Sequence, residues 1–246
     1  MKQRSQEKEP TPAKRKQPFF SFVKGILRLF FKKPRIIHFG ERIGQPSIVL
    51  CNHISLKGPL INELYLPVPT IKWGAGEMLG NYRMRYCYLH DVYYRQKMGY
   101  GPAKSTLLAA FSATFSKFFY KGMNVLPTWR DGRLINTVRR SIAVLKGGAS
   151  VLIFPENSSE GYKDILAEFH AGFVTLAECY YQKTKKDIPV YPVYYHHKKK
   201  VLAIGDPLYV QDLVRQGLSR TQIAERFRTI VNSLYQKVQA LSPNGC

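Results

Sequence analysis

The sequence predicts one α/β domain with a mostly parallel central sheet flanked by helices, preceded by an N-terminal amphipathic helix. Short apolar runs of buried-strand length alternate with segments of helical periodicity, which is the pattern of α/β proteins. Two of these runs, 123–127 and 150–155, enclose a helix that ends at Gly147 and Gly148. This order is a βαβ unit, and its two strands are expected to be parallel.

The chain begins with a basic segment. The net charge of the whole chain is +22, and its first 35 residues contain eleven Lys and Arg against two Glu. Residues 1–17 hold two prolines and almost no apolar residues, so we expect a disordered basic tail. A charge excess of this size favours an anionic partner, which is a membrane surface, a nucleic acid or an anionic substrate.

Residues 18–34 predict an amphipathic helix at the membrane surface. A narrow polar stripe at helical spacing separates the aromatic and aliphatic residues, and it consists of Ser21, Lys24, Gly25 and Arg28. The apolar span of about 13 residues is shorter than the ~20 residues that cross a bilayer. It also lacks the cleavage site of a signal peptide. A helix lying in the interface fits this pattern, and the alternative is a helix packed on the core of its own domain.

Residues 35–246 form the predicted domain. Strands are predicted in the segments RIIHFG, SIVLC, TIKWGAG, MNVLP, SVLIFP, IPVYPVYY and KVLAIG. The last two are joined by a basic turn at Lys198–Lys200. The final helix begins with Ser219 and Gln222 at the spacing of a capping box.

Residues 80–122 are less regular and rich in Tyr and Phe. Six tyrosines alternate with four Arg and Lys in NYRMRYCYLHDVYYRQKMGYG, and a largely apolar helix follows. Such a mixture suits lipid headgroups, stacking on nucleic-acid bases, or the packing of a helical subdomain. The sequence leaves these three alternatives open.

Four separated segments, in this order, resemble motifs of the glycerolipid acyltransferase family, whose best-known members acylate lysophosphatidic acid. NHISLKGPL resembles the family's Asn-His-(four residues)-Asp-Pro motif, and VLPTWRDG resembles its second block, which ends in an arginine. LIFPENSSEG resembles its Phe-Pro-Glu-Gly-Thr-Arg block. The fourth segment runs from IPVYPVYY, which resembles its proline-containing strand, to LAIGDPL, which resembles the Ile-Gly-x-Pro sequence that comes next. The resemblance runs from about residue 35 to the C-terminus.

The resemblance implies transfer of an acyl group from acyl-CoA or acyl carrier protein to a lysolipid hydroxyl, with no acyl-enzyme. His53 would be the general base, because an imidazole of ordinary pKa, ~6.5, is mostly neutral at pH 7. Arg130 would bind the acceptor phosphate. The remaining substrate-binding residues implied are Asn52, Phe154, Pro155, Glu156, Asn157 and Ser158. No metal or prosthetic group is expected, and the widely spaced cysteines also argue against a metal site and favour reduced, cytosolic thiols.

The chain departs from the family pattern at two places. Gly58 stands where the family has its aspartate, so the carboxylate that would orient His53 is missing. The nearest downstream carboxylates are Glu63, Glu77 and Asp91. The family's Gly-Thr-Arg is replaced by residues 157–159, Asn-Ser-Ser, which removes a phosphate-binding arginine, and Lys163 is a candidate replacement.

The resemblance also makes residues 80–122 an apparent insertion, expected to hold the acyl chain or to dock on the bilayer. We therefore predict a monotopic or peripheral acyltransferase on the cytoplasmic face of the cell membrane. Its expected partners are an anionic membrane surface, the acyl donor and a lysolipid acceptor. The alternative is a catalytically impaired relative that binds lipid or acyl chains. A third hypothesis, nucleic-acid binding, has only the charge and the Tyr/Arg stretch in its favour, since no nucleic-acid module is recognised.

Overall fold

The computed structural model describes residues 18–241. This part of the chain contains eight strands and eight α-helices. The strands are β1 (Arg35–His38), β2 (Ile48–Cys51), β3 (Thr70–Ala75), β4 (Val125–Thr128), β5 (Ser150–Ile153), β6 (Pro189–His196), β7 (Val201–Ile204) and β8 (Leu208–Tyr209). The helices are α1 (Pro18–Phe30), α2 (Lys57–Tyr65), α3 (Tyr82–Cys87), α4 (Pro102–Gly122), α5 (Leu134–Lys146), α6 (Gly172–Thr184), α7 (Val210–Arg215) and α8 (Arg220–Ala240). A 3-10 turn (Gly76–Leu79) precedes α3, and a π-helix (Tyr88–Lys97) follows it. The predicted tail, 1–17, lies outside the described residues.

The eight strands form one sheet in the order β1-β7-β6-β2-β5-β3-β4, with β8 paired to β6. Strands β6, β2, β5, β3 and β4 are successively parallel. Only β7 and β8 run antiparallel to their neighbour β6, and β1 pairs parallel with β7. The mostly parallel α/β sheet predicted from the sequence is therefore confirmed, with an antiparallel hairpin at the basic turn between β6 and β7.

The predicted βαβ unit consists of β4, α5 and β5. Its two strands run in the same direction, as expected, but they are not neighbours, because β3 lies between them and pairs with both. The crossover through α5 therefore skips one strand. A periodicity argument gives the direction of the strands and not the order in which they pair.

Both faces of the sheet are covered, which explains why its central strands are apolar at every position. All four residues of β2 and of β5 are buried. Ile48 and Leu50 face a large core shared with α5, α6 and α8, whereas Val49 and Cys51 face a smaller core that includes Ile61 of α2. The carboxyl ends of the parallel strands are thus held rigidly between two packed layers.

The Tyr- and Phe-rich residues between β3 and β4 form a helical subdomain with a core of its own. Met78, Leu89, Tyr93 and Tyr94 are buried in it together with Ala109 and Ala113 of α4. The structure therefore gives a packing role to five of the six tyrosines, because Tyr86, Tyr88 and Tyr100 also pack against this core. The exposed face of α4 is apolar and is described below.

The amphipathic helix predicted at the N-terminus is α1, and one side of it packs on the domain. Phe20 is only 4% exposed and lies against Gly122 at the end of α4. Lys24 pairs with Glu63 of α2, which also pairs with the buried Lys72 of β3. No helix between residues 18 and 241 is both long and apolar enough to span a bilayer.

Candidate functional site

The carboxyl edge of the parallel strands brings three of the predicted site residues to one side of the sheet. His53 follows β2 by two residues, Arg130 follows β4 by two, and Glu156 follows β5 by three. Strands β2 and β5 are neighbours, so the backbone at His53 and Glu156 is adjacent, while β4 lies two strands away from β5. Clefts at this edge are where open α/β sheets usually bind ligands.

Asn52 fixes the end of β2 to β6. Its side-chain oxygen accepts a hydrogen bond from the backbone N–H of Tyr195 at 2.7 Å, and its amide nitrogen donates to the Tyr195 carbonyl at 3.1 Å. The buried side chain therefore extends the β2–β6 ladder by one step. In this arrangement Asn52 positions His53, and its amide is engaged with the backbone and not with the open edge.

The turn after His53 has an unusual backbone. Ile54 and Ser55 both have positive φ, 41° and 56°. This conformation is uncommon for any residue with a Cβ and is a clear outlier for a β-branched one such as Ile54. The hydroxyl of Ser55 is 2.8 Å from that of Tyr93, which attaches the turn to the helical subdomain. Strain of this kind, held by surrounding contacts, clusters at functional sites.

Gly58 allows the first turn of α2 to touch the backbone of His53. A Cβ atom at position 58 would lie 1.9 Å from the His53 carbonyl oxygen and 3.0 Å from that of Asn52. No side chain fits there unless the His53 backbone moves. Glycine is therefore required at position 58 by the close approach of the His53 backbone.

The His53 ring is packed between aromatic side chains. It meets Phe154 edge-on at 5.0 Å between centroids and stacks on Tyr162 at 5.2 Å. Its Nδ1 is buried and has no hydrogen-bond partner among the described residues. Burial, and secondarily the charge of Lys97, lower the pKa of His53 to about 3, so the imidazole is neutral at pH 7. The backbone of Ser55 offsets part of this shift.

Two of the three carboxylates nearest to His53 along the chain have other partners. Glu63 is paired with Lys24 and Lys72, and Asp91 lies 2.7 Å from the ring of its neighbour His90. The third is Glu77. Burial is the main cause of the raised pKa of Tyr88, and the charge of Glu77 raises this pKa further. From the sequence, these three carboxylates are candidates for the hydrogen bond that orients His53. In the structure, none of them bonds to the imidazole.

Glu156 is the carboxyl group that lies next to the His53 backbone. Both of its oxygens are buried without a hydrogen bond of normal geometry. Burial raises the pKa of Glu156 to about 7, and the backbone N–H of His53 and the charge of Lys97 oppose this rise. Glu156 is therefore poised to exchange a proton near neutral pH, which is typical of functional carboxyls.

The residues around Glu156 form a shallow cleft. Glu156 forms a single antiparallel bridge to Phe169, and Asn157 continues it by donating from its backbone to the Glu168 carbonyl at 2.9 Å. The carbonyl oxygen of Pro155 accepts a hydrogen bond from the backbone N–H of His170 at 2.8 Å. The side chain of Ser158 is buried. The cleft has a volume of about 100 Å³ and is lined by Glu156, Asn157, Ser159, Glu160, Gly161, Lys163, Leu166, Ala167 and Glu168. Lys163, the candidate replacement for the lost arginine, lies in it and pairs with Glu160 at 2.6 Å.

Cationic groups converge beside the cleft. Arg130 is exposed, and its charge lowers the pKa of both Lys97 and His170, although burial is the larger cause in each case. Lys97 also lies 5.6 Å from the centre of the Tyr162 ring and so borders the aromatic cover of His53. Groups that destabilise one another's positive charge are suited to bind an anion between them.

Two residues of this site, Lys97 and Tyr162, were missed by sequence reasoning. Lys97 ends the π-helix, and Tyr162 follows the cleft by one residue beyond Gly161, whose φ is 90°. A Cβ at Gly161 would meet the Lys97 carbonyl at 3.1 Å, so the two segments are in close contact. The alternation of Tyr with Arg and Lys was a visible signal for Lys97, whereas nothing local marked Tyr162.

Comparison with known proteins gives a structural relative only. No protein-family model matches the chain, and no curated protein matches its sequence. Among solved structures, the chain is similar to the crystal structure of the 1-acyl-sn-glycerophosphate (LPA) acyltransferase PlsC from Thermotoga maritima, with a TM-score of 0.54. The two share 15% sequence identity over 92% of this chain and 83% of that one. At this identity the similarity establishes a shared fold.

Proposed function

We propose that this chain is an acyltransferase that moves a fatty acyl group from acyl-CoA or acyl carrier protein to a hydroxyl of a lysophospholipid or related lysolipid. The observation that carries the proposal is His53, a neutral imidazole at the carboxyl edge of the sheet, beside the buried Glu156. It is supported by the fold shared with an LPA acyltransferase and by the four motif-like segments, all of which lie on this domain.

In the proposed reaction, Nε2 of His53 accepts the proton of the acceptor hydroxyl while the oxygen attacks the thioester carbonyl carbon. The carbon–sulfur bond then breaks, and the leaving thiolate takes the proton back from the imidazolium. No acyl-enzyme is formed. The neighbouring thiol of Cys51 is a poor nucleophile, because burial raises its pKa to about 12.

The convergent cations supply the site for the acceptor phosphate. Arg130 offers a bidentate guanidinium, while Lys97 adds positive charge that acts on both His53 and Glu156. In this proposal Lys97 takes the role of the arginine that residues 157–159 no longer provide. Lys163 contributes less, because Glu160 already neutralises it.

The proposed place of action is the cytoplasmic face of the membrane, where a lysolipid acceptor is found. The outer side of α1 supports this, because Phe19, Phe22, Leu29 and Phe30 are each more than half exposed. Arg28 lies on the same helix and suits anionic headgroups.

The test is a single-turnover assay with labelled acyl-CoA and a panel of lysolipids. Replacement of His53 by Ala is expected to lower acyl transfer by a factor of at least about 10², the contribution of a positioned general base. His38→Ala is the matched control, because His38 is an exposed histidine at the end of β1 and should keep full activity. Residual activity of His53→Ala within about threefold of the parent would exclude His53 as the base.

A second candidate is a lipid- or acyl-chain-binding protein without catalysis, favoured because no carboxylate among residues 18–241 bonds to Nδ1 of His53. An imidazole without an orienting carboxylate is a poor base. Saturable binding of acyl-CoA or lysolipid, with no turnover by the parent chain on any acceptor, would favour this candidate over the enzyme.

A further inference from the structure

An apolar row on α4 is largely exposed, and its C-terminal member, Phe118, packs against Phe19 and Phe20 of α1. Leu107, Phe111, Phe115 and Phe118 are 72%, 68%, 50% and 40% exposed. Their spacing of four, four and three residues places them on one face of the helix. The opposite face is fully buried at Ser105, Ala109 and Ala113, so the helix is fixed to the domain without these four side chains.

This row is continuous with the exposed side of α1. The rings of Phe19 and Phe118 are 5.3 Å apart, and Phe20 lies against Gly122, so the N-terminal part of α1 touches the C-terminal end of α4. We call the combined feature the α1–α4 surface; it consists of Phe19, Phe22, Ile26, Leu29, Phe30, Leu107, Phe111, Phe115 and Phe118. Contiguous apolar patches on two helices mark an interaction site.

The charge around the α1–α4 surface selects one occupant. Neither helix contains Asp or Glu, and the basic residues they carry are Lys24, Arg28, Lys104, Lys117 and Lys121. The chain as a whole has a net charge of +22. A second copy of this chain would bring like charge to the contact, whereas an anionic bilayer supplies opposite charge and an apolar layer together.

We propose that α4 is a second membrane-docking helix, which lies flat in an anionic phospholipid bilayer beside α1. The docked surface has a consequence for the site. α4 packs along the π-helix, in which Tyr93 is hydrogen-bonded to Ser55 of the His53 turn. Binding by both helices holds the carboxyl edge of the sheet at a fixed height near the headgroups. The inference goes beyond the proposed acyl transfer and does not require it.

Vesicle flotation of the full chain tests the proposal, with phosphatidylcholine vesicles that contain or lack phosphatidylglycerol. The double variant Phe111→Ser/Phe115→Ser is expected to bind anionic vesicles at least about tenfold more weakly, because two large apolar side chains no longer enter the interface. The matched control is Ile135→Ser/Ile165→Ser, which removes apolar side chains of 53% and 57% exposure elsewhere on the molecule. It should bind as the parent does. Equal thermal unfolding of the two variants confirms that both are folded.

A gain of signal completes the test. Brominated lipid in vesicles should quench the fluorescence of the tryptophan introduced by Phe111→Trp. The tryptophan introduced by Ile135→Trp should show no quenching beyond that of Trp73 and Trp129, which both variants contain. Undiminished vesicle binding of the α4 double variant, or equal quenching of the two tryptophan variants, would overturn the proposal. So would a change from dimer to monomer in that variant with vesicle binding intact, since the occupant would then be a second copy. Acyl transfer to a soluble short-chain acceptor reports on the proposed enzyme independently.

Discussion

At the scale of single residues, the two ionisable groups of the site are held in their neutral forms by burial. At a pKa of about 3 His53 is neutral at pH 7 but is a weak base, so its proposed role requires that substrate binding raise this pKa. Glu156, with a pKa of about 7, is half protonated at neutral pH. Desolvation is the largest cause of both shifts. Substrate binding that changes the hydration of this edge will therefore change both protonation states together.

The raised pKa of Glu156 makes a prediction about stability. Because its pKa is higher in the folded chain than its ordinary value of 4.5, the folded state loses stability as pH rises through about 7. Glu156→Gln should therefore be more stable than the parent at pH 8, by about 2–3 kcal/mol, and equally stable at pH 4. Chemical denaturation at the two pH values measures the difference.

Glu160→Gln serves as the control, since the Glu160 carboxylate is fully exposed and bonded to Lys163, and it should show no gain at pH 8. The same Glu156→Gln protein is expected to lose acyl transfer, as stabilised active-site variants commonly do. A pH-independent effect on stability would show that the pKa of Glu156 is the same in the folded and the unfolded chain.

Position 58 provides a second prediction. Gly58→Asp should not restore activity, although it recreates the family's motif, because its Cβ would collide with the His53 carbonyl. We expect a loss of at least about 2 kcal/mol in the free energy of unfolding and activity as low as that of His53→Ala. Thermal unfolding and kcat are to be measured beside Gly132→Ala, whose added Cβ has open space. A rise in kcat for Gly58→Asp would mean that α2 can move away from His53.

At the scale of elements, α1 is attached to the domain through a buried ion network. Glu63 of α2 contacts both Lys24 of α1 and Lys72 of β3, and the side chains of Glu63 and Lys72 are 7% and 5% exposed. Burial lowers the pKa of Lys72, while Glu63 opposes that shift. Deletion of α1 would therefore disturb the domain itself, so substitutions on its exposed face test membrane binding more cleanly than truncation does.

Removal of the central carboxylate should destabilise the whole domain. Glu63→Gln leaves Lys72 buried without an anion, and we expect a loss of about 3–5 kcal/mol at pH 7. The loss should shrink at alkaline pH, where Lys72 can release its proton. The control is Glu225→Gln, which breaks an exposed pair with Arg228 and should cost less than about 1 kcal/mol. Equal effects in urea denaturation would show that the network is solvated.

Local patterns predict the elements of this chain better than its site. Strands β2 and β5 and the Ser219–Gln222 capping box follow from apolar runs and spacing alone, and the structure has them where expected. The insertion of β3 between β5 and β4 depends on long-range pairing that no local pattern encodes. The role of Tyr162 cannot be predicted for the same reason. Its ring stacks on His53, which is more than a hundred residues away in the sequence.

At the scale of the whole molecule, a chain of net charge +22 presents the exposed apolar α1–α4 surface, and no helix between residues 18 and 241 could span a membrane. Electrostatic attraction brings such a chain to any polyanion, and apolar contact then distinguishes a bilayer from a nucleic acid. Only the first of these contributions is screened by salt. The screening length is about 10 Å at 0.1 M salt and about 3 Å at 1 M.

Salt dependence therefore separates the two anionic partners. Binding to vesicles that contain phosphatidylglycerol should weaken between 0.1 and 1 M salt and keep a salt-resistant part. The affinity for DNA or RNA should instead fall by a factor of roughly five to ten for each phosphate contact over the same range, so that binding is lost. Flotation and gel-shift titrations on the same preparation compare them. Nucleic-acid binding that survives high salt, without vesicle binding, would revive the third hypothesis of the sequence analysis.

The π-helix Tyr88–Lys97 carries one further implication, for insertions and deletions. A π-helical turn is an α-helical turn that has accommodated an additional residue. Loss of a single residue that the helix does not absorb by a return to α-helical geometry would rotate everything beyond the deletion by about 100°. Lys97 would then move away from Tyr162, and α4 would present a different face to its surroundings. The length of this segment is thus constrained in addition to its buried side chains.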